Sequence, residues 1–369
     1  MLLESSLVYS LVPDIAVHAK PSRLPKGSLK MLRRFFHILS LTVLFLAVAT
    51  AAACFTRDEV VERDALRCGV STGIPGFSNV DGNGDWSGVD VDVCRAVAAA
   101  VLGDAAKVIY TPLLPSERVT ALLAGEVDLL SRNYVWNYTR DTALPLHFAT
   151  VVFYDLQGFL VSKEVNAESI LDLKDFTVCY QAGTPSGERL EEYLQESELH
   201  YKRVASDTPD QIIKNFEAGR CNVITGGRGQ LQGLRSKMSE PAATTFLSEV
   251  IATVPLGPAV RHGDDVWFDI VKWSVFAMIY GEELGLTSHN IDDMAAGPNQ
   301  AIQRFVGAVG TGGKGFGLKD DWAYQIIRQV GSYGEVFERN LGASSPLKLQ
   351  RGLNNLWNEG GILFAPPLR

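Results

Sequence analysis

The sequence predicts an α/β protein of two lobes that face each other across a cleft. Three observations carry this. The pattern strand-helix-strand-helix-strand runs twice in tandem, over residues 66–130 and 176–225. A chain of 369 residues, 46% apolar and 21% charged, has room for two globular domains. A largely helical third follows the second series.

The first series opens with the strand Leu66–Val70, ended by the turn-rich 71–77. Asp81-Gly-Asn-Gly-Asp is a tight turn leading to the helix Val89–Leu102, which puts Val91, Cys94, Val97, Ala98 and Val101 on one face. A strand over 105–111, a helix over 116–124 with Ser116 as N-cap, and a strand over 126–130 complete it. A strand-like stretch follows at 155–163. The second series has strands at 176–180, 200–204 and 221–225, with helices at 187–194 and 209–218. Such alternation predicts parallel sheets, with ligands at the carboxyl ends of the strands. Helices are expected at 265–280, 299–305 and 321–340. The tail 351–369 is rich in Gly and Pro, with Trp357 and Phe364 packed down.

The N-terminus reads as an export signal. Basic Arg33 and Arg34 precede an apolar run over 35–48, and small residues follow to Ala53. That makes 31–53 a signal peptide with Met31 as the initiator, and leaves 1–30 upstream of the natural start. The stretch 35–53 is also long enough for an uncleaved membrane anchor. Cys54 lacks the large aliphatic residue of a lipid-attachment site three positions earlier, where Ala51 stands. Residues 1–53 hold six Lys/Arg and two Asp/Glu; the remainder keeps 28 basic and 40 acidic side chains, a net charge of −12. So acidic a body argues against nucleic acid or an anionic membrane as partner, while local arginines still permit a small anionic ligand.

Exported proteins meet conditions in which disulfides form. Cys68, Cys94, Cys179 and Cys221 allow three pairings. Cys68–Cys94 with Cys179–Cys221 is favoured, because each pair falls within one expected domain. Six scattered histidines and no CxxC motif argue against zinc, and no motif calls for a cofactor.

Function points to the stretch 127–141, VDLLSRNYVWNYTRD. Apolar strand residues give way to Ser131, Arg132 and Asn133, and Arg140 follows on the next helix. Arginine binds both oxygens of a carboxylate at once, and neighbouring donors complete a cradle. An ordinary loop with surface arginines is the plain alternative.

The chain resembles the amino-acid-binding components of polar amino acid ABC importers, the type II periplasmic solute-binding proteins, and most of all their general L-amino acid binding subfamily. The likeness runs from Met31 onward. It rests on Gly69-Val with Pro75-Gly-Phe-Ser, Gly88-Val-Asp-Val-Asp-Val-Cys-Arg-Ala-Val-Ala-Ala-Ala, Gly125-Glu-Val-Asp, Ser131-Arg-Asn, Gly219-Arg-Cys and Leu256-Gly-Pro-Ala-Val-Arg. Gly334-Glu-Val-Phe-Glu-Arg-Asn and Arg351-Gly-Leu-Asn-Asn-Leu-Trp extend it.

The resemblance implies a bilobal fold with a two-strand hinge near 154–157 and 252–255, and no catalysis. Lobe I is then 60–154 plus 255–369, the latter including a helical C-terminal extension, and lobe II is 156–252. A periplasmic monomer would close on its ligand and hand it to a membrane permease. By the same resemblance Arg140 grips the α-carboxylate, Asn133 lies beside it, and Thr184 and Ser186 complete the cradle from lobe II; Arg132, from its place in the loop, is either a further ligand contact or a structural residue. Ile74 and Phe77 fall in the loop over the ligand side chain, and Arg118 faces that pocket.

Three positions depart from the pattern. Gly227 stands where an Asp neutralises the ligand ammonium, Val135 replaces a threonine, and Pro185 another. An unpaired buried ammonium costs several kcal/mol, and an inward-pointing Arg228 would add to that. A modified amino-acid-like solute or a carboxylate without an ammonium is therefore the rival ligand class. A sensor on the same fold is a rival function. An enzyme is disfavoured by the absence of a nucleophile–base pair at convincing spacing.

Overall fold

A computed structural model describes residues 55–195, 199–310 and 312–368. The expected signal peptide 31–53, the stretch 1–30 and Cys54 lie outside the described residues.

In chain order the strands are β1 (Leu66–Val70), β2 (Asn79–Val80), β3 (Trp86–Ser87), β4 (Val108–Pro112), β5 (Leu129–Leu130), β6 (Leu146–Phe148) and β7 (Phe153–Ser162). There follow β8 (Asp175–Gln181), β9 (His200–Ser206), β10 (Val223–Gly227), β11 (Thr244–Phe246), β12 (Ala252–Leu256) and β13 (Ala259–Arg261). The first sheet has the order β4-β1-β5-β13-β6 and the second β11-β7-β10-β8-β9. Each has the parallel trio that the alternating pattern predicts: β4, β1 and β5, then β10, β8 and β9. Antiparallel strands extend both, so the sheets are mixed. The chain passes between them along β7 and β12, paired antiparallel from Ala252 opposite Gln157 to Leu256 opposite Phe153.

The helix Val89–Leu102 forms where its apolar face predicts, and eleven of its residues are buried. Gly88 permits the entry: its φ is 128°, and a Cβ there would sit 2.0 Å from the Phe77 carbonyl oxygen. Gly103 ends the helix in the left-handed conformation. Against this helix packs the 19-residue helix Asp265–Glu283, capped by Asp264, which accepts from the Trp267 amide at 2.9 Å. Trp267, Ile270 and Val271 pack with Val97, Ala98 and Leu129 in one buried cluster. Each such large side chain contributes about 1.5–3 kcal/mol by leaving water.

Several expectations need correction. Ser116 is not a cap: the helix is Arg118–Leu123, Glu117 is the N-cap residue, and no side chain caps it. The expected helix over 321–340 is two, Trp322–Gln329 and Tyr333–Asn340, because Gly331 (φ 96°) turns the chain and Ser332 starts a new capping box with Glu335. Trp357 and Phe364 do not pack down; they are 58% and 62% exposed. Leu356 and Leu363 are buried in their place and form a bridge. Cys68 is bonded to Cys94 and Cys179 to Cys221, with Cα–Cα distances of 6.2 and 5.7 Å.

The C-terminal extension braces the first sheet and the crossing strands. Asp92 pairs with Arg95 and Arg339 and accepts from Asn340. The Tyr333 hydroxyl donates to the Val152 carbonyl at 2.7 Å. Asn354 accepts from the Tyr154 amide and donates to its carbonyl, at 2.7 and 3.0 Å, in the place of a strand partner.

Candidate functional site

The loop leaving β5 is strapped to the crossing strands before it reaches the cleft. The Ser131 amide donates to the Gly69 carbonyl, the Trp136 amide to the Pro255 carbonyl, and the Gly257 amide to the Tyr134 carbonyl. Asn133 takes a left-handed conformation at φ 45°, which asparagine tolerates well. Its backbone N–H faces the buried carboxyl of Asp90 and favours the ionised form there, against burial. Asn137 caps the short helix Tyr138–Ala143 by accepting from the Arg140 amide at 2.9 Å, which aims Arg140 back over the loop.

Two arginines then stack on one tyrosine, with a third, Arg132, beside them. The guanidinium carbons of Arg118 and Arg140 lie over the Tyr134 ring, 4.1 and 4.7 Å from its centre. Arg118 and Arg140 both donate to the Gly183 carbonyl, at 3.1 and 3.4 Å, and Arg140 also to the Val135 carbonyl at 2.9 Å. Arg132 is 2% exposed and Arg118 4%. None of the three belongs to a salt bridge among the described residues. Burial, then Arg132 and Arg140 beside it, lowers the affinity of Arg118 for its proton well below the arginine norm. Burial brings Arg132 down to about 10 despite the opposing charge of Asp90. Burial also lowers Arg140. The Nε atoms of Arg118 and Arg132 and the Ser131 hydroxyl are buried without a hydrogen-bond partner among the described residues. Cations so placed are stabilised by an anion.

Opposite stands the turn from β8 into the helix Ser186–Leu194. Gly183 (φ 69°) presents its carbonyl to the two arginines, and Pro185 at −70° suits its ring to the helix entry. The Thr184 hydroxyl donates to the Gln181 carbonyl at 2.6 Å, so its proton is engaged within the turn. The Ser186 carbonyl accepts from the Gln157 amide at 2.9 Å. A groove of about 430 Å³ opens here, lined among others by Arg140, Gly183, Thr184, Pro185 and Glu188. A cavity of about 30 Å³ nearby places Ile74 against Ile212, Ile224, Leu231 and Leu234. Phe77 packs edge-on against Phe153 at 5.3 Å, which makes it part of the buried wall. The lobes touch in this conformer: a Cβ on Gly233 would lie 2.6 Å from the Pro75 carbonyl oxygen.

At Gly227 the structure holds what the sequence reading missed. A Cβ on Gly227 would fall 2.2 Å from Oδ2 of Asp155, so an aspartate on the crossing strand β7 fills that space. Asp155 is 4% exposed and accepts from the amides of Leu156 and Gly229 at 2.8 and 2.9 Å, and of Gln230 at 3.4 Å. Burial pushes its carboxyl up to about 6 against those bonds and Arg228. Arg228 itself points away, donating to the carbonyls of Leu247, Ser248 and Glu249. Gln157, two residues on and on the same face of the strand, is fully buried. Its amide nitrogen is engaged by Ser186 and Thr225, while its Oε1 lacks a partner among the described residues. The one available signal was two polar residues, Asp155 and Gln157, alternating in an otherwise apolar strand.

Thus Arg118, Arg132, Arg140 and Asn133 come together on one side and Gly183–Ser186 on the other, with Ile74 lining the neighbouring cavity. Among the described residues no set of three or more His, Cys, Asp or Glu is placed to hold a metal ion, and no helix is long and apolar enough to cross a membrane.

Residues 66–285 match the family described as bacterial extracellular solute-binding proteins, family 3. The chain is 47% identical to the general L-amino acid-binding periplasmic protein AapJ of Rhizobium johnstonii, over 87% of this chain and 95% of that one. It is 44% identical to the glutamate/glutamine/aspartate/asparagine-binding protein BztA of Rhodobacter capsulatus, over 91% and 98%. A solved periplasmic binding protein from Brucella ovis with glutathione bound superimposes with a TM-score of 0.83 at 41% identity, covering 85% of this chain and 99% of that chain. On the extent of these matches, the chain belongs to the bacterial extracellular solute-binding proteins, family 3.

Proposed function

We propose that this protein is the periplasmic binding component of an ABC importer, and that it captures an L-amino acid between its lobes for delivery to the membrane permease. The observation that carries the reading is the stacking of Arg118 and Arg140 on Tyr134 with Arg132 beside them, opposite the helix start at Ser186. Arg140, with the amides at the helix start, suits an α-carboxylate. Arg118, whose charged neighbours are two further arginines, suits a second carboxylate. An acidic L-amino acid meets both demands. The names of two relatives agree in kind: BztA binds glutamate and aspartate among others, and the Brucella protein holds glutathione, itself a dicarboxylate with one ammonium. The hinge at 154–157 and 252–255 would let 60–154 with 255–369 close on 156–252, because contacts to both lobes favour the closed state. The protein acts as a monomer that binds and releases, with no chemical step.

Calorimetry with a panel of L-amino acids and their deaminated counterparts tests the reading. Tightest binding by L-glutamate or L-aspartate supports it, and no binding of any amino acid overturns it. Arg140→Ala should weaken the preferred ligand at least a hundredfold, about 3 kcal/mol for a buried charge-assisted pair.

A further inference from the structure

The reading above leaves the ligand ammonium without a receptor, since the position expected to supply a carboxylate is Gly227. We propose that Asp155 receives the ammonium, its carboxylate reaching from the crossing strand into the space that a side chain at 227 would fill. The assignment rests on the cleft being an amino-acid site, and on three observations.

The first is steric. Oδ2 of Asp155 lies 2.2 Å from the Cβ that Gly227 lacks, so the Asp155 carboxylate occupies the space into which a side chain at 227 would point. The pair amounts to one carboxylate supplied from the neighbouring strand, since Gly227 stands opposite Gln157 in the β10–β7 ladder. The second is hydrogen bonding. Oδ1 already accepts from two amides at 2.8 and 2.9 Å, whereas Oδ2 has only the 3.4 Å approach of Gln230, which leaves it capacity to accept from an ammonium. The third is Gln157. Its Oε1 is a fully buried acceptor with no donor among the described residues, on the same strand face as Asp155. Its amide nitrogen is bonded to the Ser186 carbonyl, at the start of the helix that faces Arg140. An α-amino acid held by its carboxylate there brings its ammonium toward the unpartnered Oε1 of Gln157 and the Oδ2 of Asp155, which has room for a further donor.

Binding of L-glutamate and of glutarate, the same dicarboxylate without the amino group, tests this by calorimetry on the wild type and on Asp155→Asn. The wild type should prefer glutamate. In Asp155→Asn the affinity for glutamate should fall tenfold or more while that for glutarate stays within about twofold. Equal loss of both ligands, or no loss of either, overturns the assignment and leaves the amino-acid reading standing. A wild type that binds neither, or prefers glutarate, overturns that reading and this assignment with it. Should Asp155→Asn fail to melt cooperatively, the double variant Asp155→Gly with Gly227→Asp decides. Preference for glutamate in that variant supports the exchange of positions, and its absence overturns it.

Discussion

Arg118 shows how far a single side chain can be held from its ordinary state. It is buried, stacked on Tyr134, and has other guanidiniums as its nearest charges. Asp155 and Asp90 show the complement, two carboxyls pushed up to about 6 chiefly by burial. Their effects on binding oppose one another as pH falls. Protonating Asp155 removes the proposed partner of the ammonium, while protonating Asp90 leaves Arg132 less compensated and strengthens its hold on a carboxylate. Above about pH 7 both are ionised and affinity is level. Below pH 6 the ratio of wild-type to Asp155→Asn affinity for L-glutamate should fall, by up to tenfold per pH unit. Calorimetry between pH 5 and 8 measures that ratio, and a constant ratio contradicts the prediction. Asp155 is faced by the neutral amides of Leu156, Gly229 and Gln230, and the charge that acts on it is that of Arg228, whose guanidinium is turned to the carbonyls of 247–249. At this scale the sequence told of the arginines through their spacing on loop and helix. Of Asp155 it gave only the polar alternation with Gln157, and nothing of its place beside Gly227, because residues 155 and 227 meet only across the β7–β10 ladder.

Elements with strong local signals form where the sequence places them. The helix Val89–Leu102 and the strand Leu66–Val70 occupy the expected residues, since apolar patterning marks both and Gly88 and Gly103 bound the helix. Local reasoning fails where tertiary contacts cut an element short. Residues 126–130 yield only the two-residue strand β5, and 321–340 breaks at Gly331. The Gly88 turn is the most constrained of these boundaries. Gly88→Ala would place a methyl group against the Phe77 carbonyl at a backbone angle that L-residues avoid. It should cost about 3 kcal/mol or more in stability, within the range of strained-backbone substitutions. A urea melt against the wild type checks this, and a loss under 1 kcal/mol would refute the steric account.

For the molecule as a whole, the question is how two sheets joined by two strands come to close. Gly233 offers a way to separate closure from folding. It lies inside the helix Arg228–Ser236, where alanine is the better helix former by about 1 kcal/mol. Yet a Cβ there would meet the Pro75 carbonyl at 2.6 Å, a contact that lobe opening would release. Gly233→Ala should therefore keep or raise the melting temperature of the ligand-free protein while weakening L-glutamate binding about tenfold, the effect of about 1.4 kcal/mol taken from the closed state alone. Small-angle scattering at saturating ligand should show a larger radius of gyration than in the wild type. Unchanged affinity would mean that the contact between Pro75 and Gly233 gives way without cost.

The sequence by itself determined the two-lobe α/β organisation, the parallel trios and the arginine-rich loop, because apolar periodicity, glycine turns and residue spacing are local properties. The family resemblance further marked Gly227 as the missing carboxylate position. Only the tertiary structure decided what answers that gap. The backbone of β10 carries no side chain at 227, and the β7 ladder brings Asp155 into its space. The tail went the same way: Leu356 and Leu363 took the buried sites that Trp357 and Phe364 were expected to hold. Both outcomes depend on which segments meet across the fold, and burial is settled by that meeting.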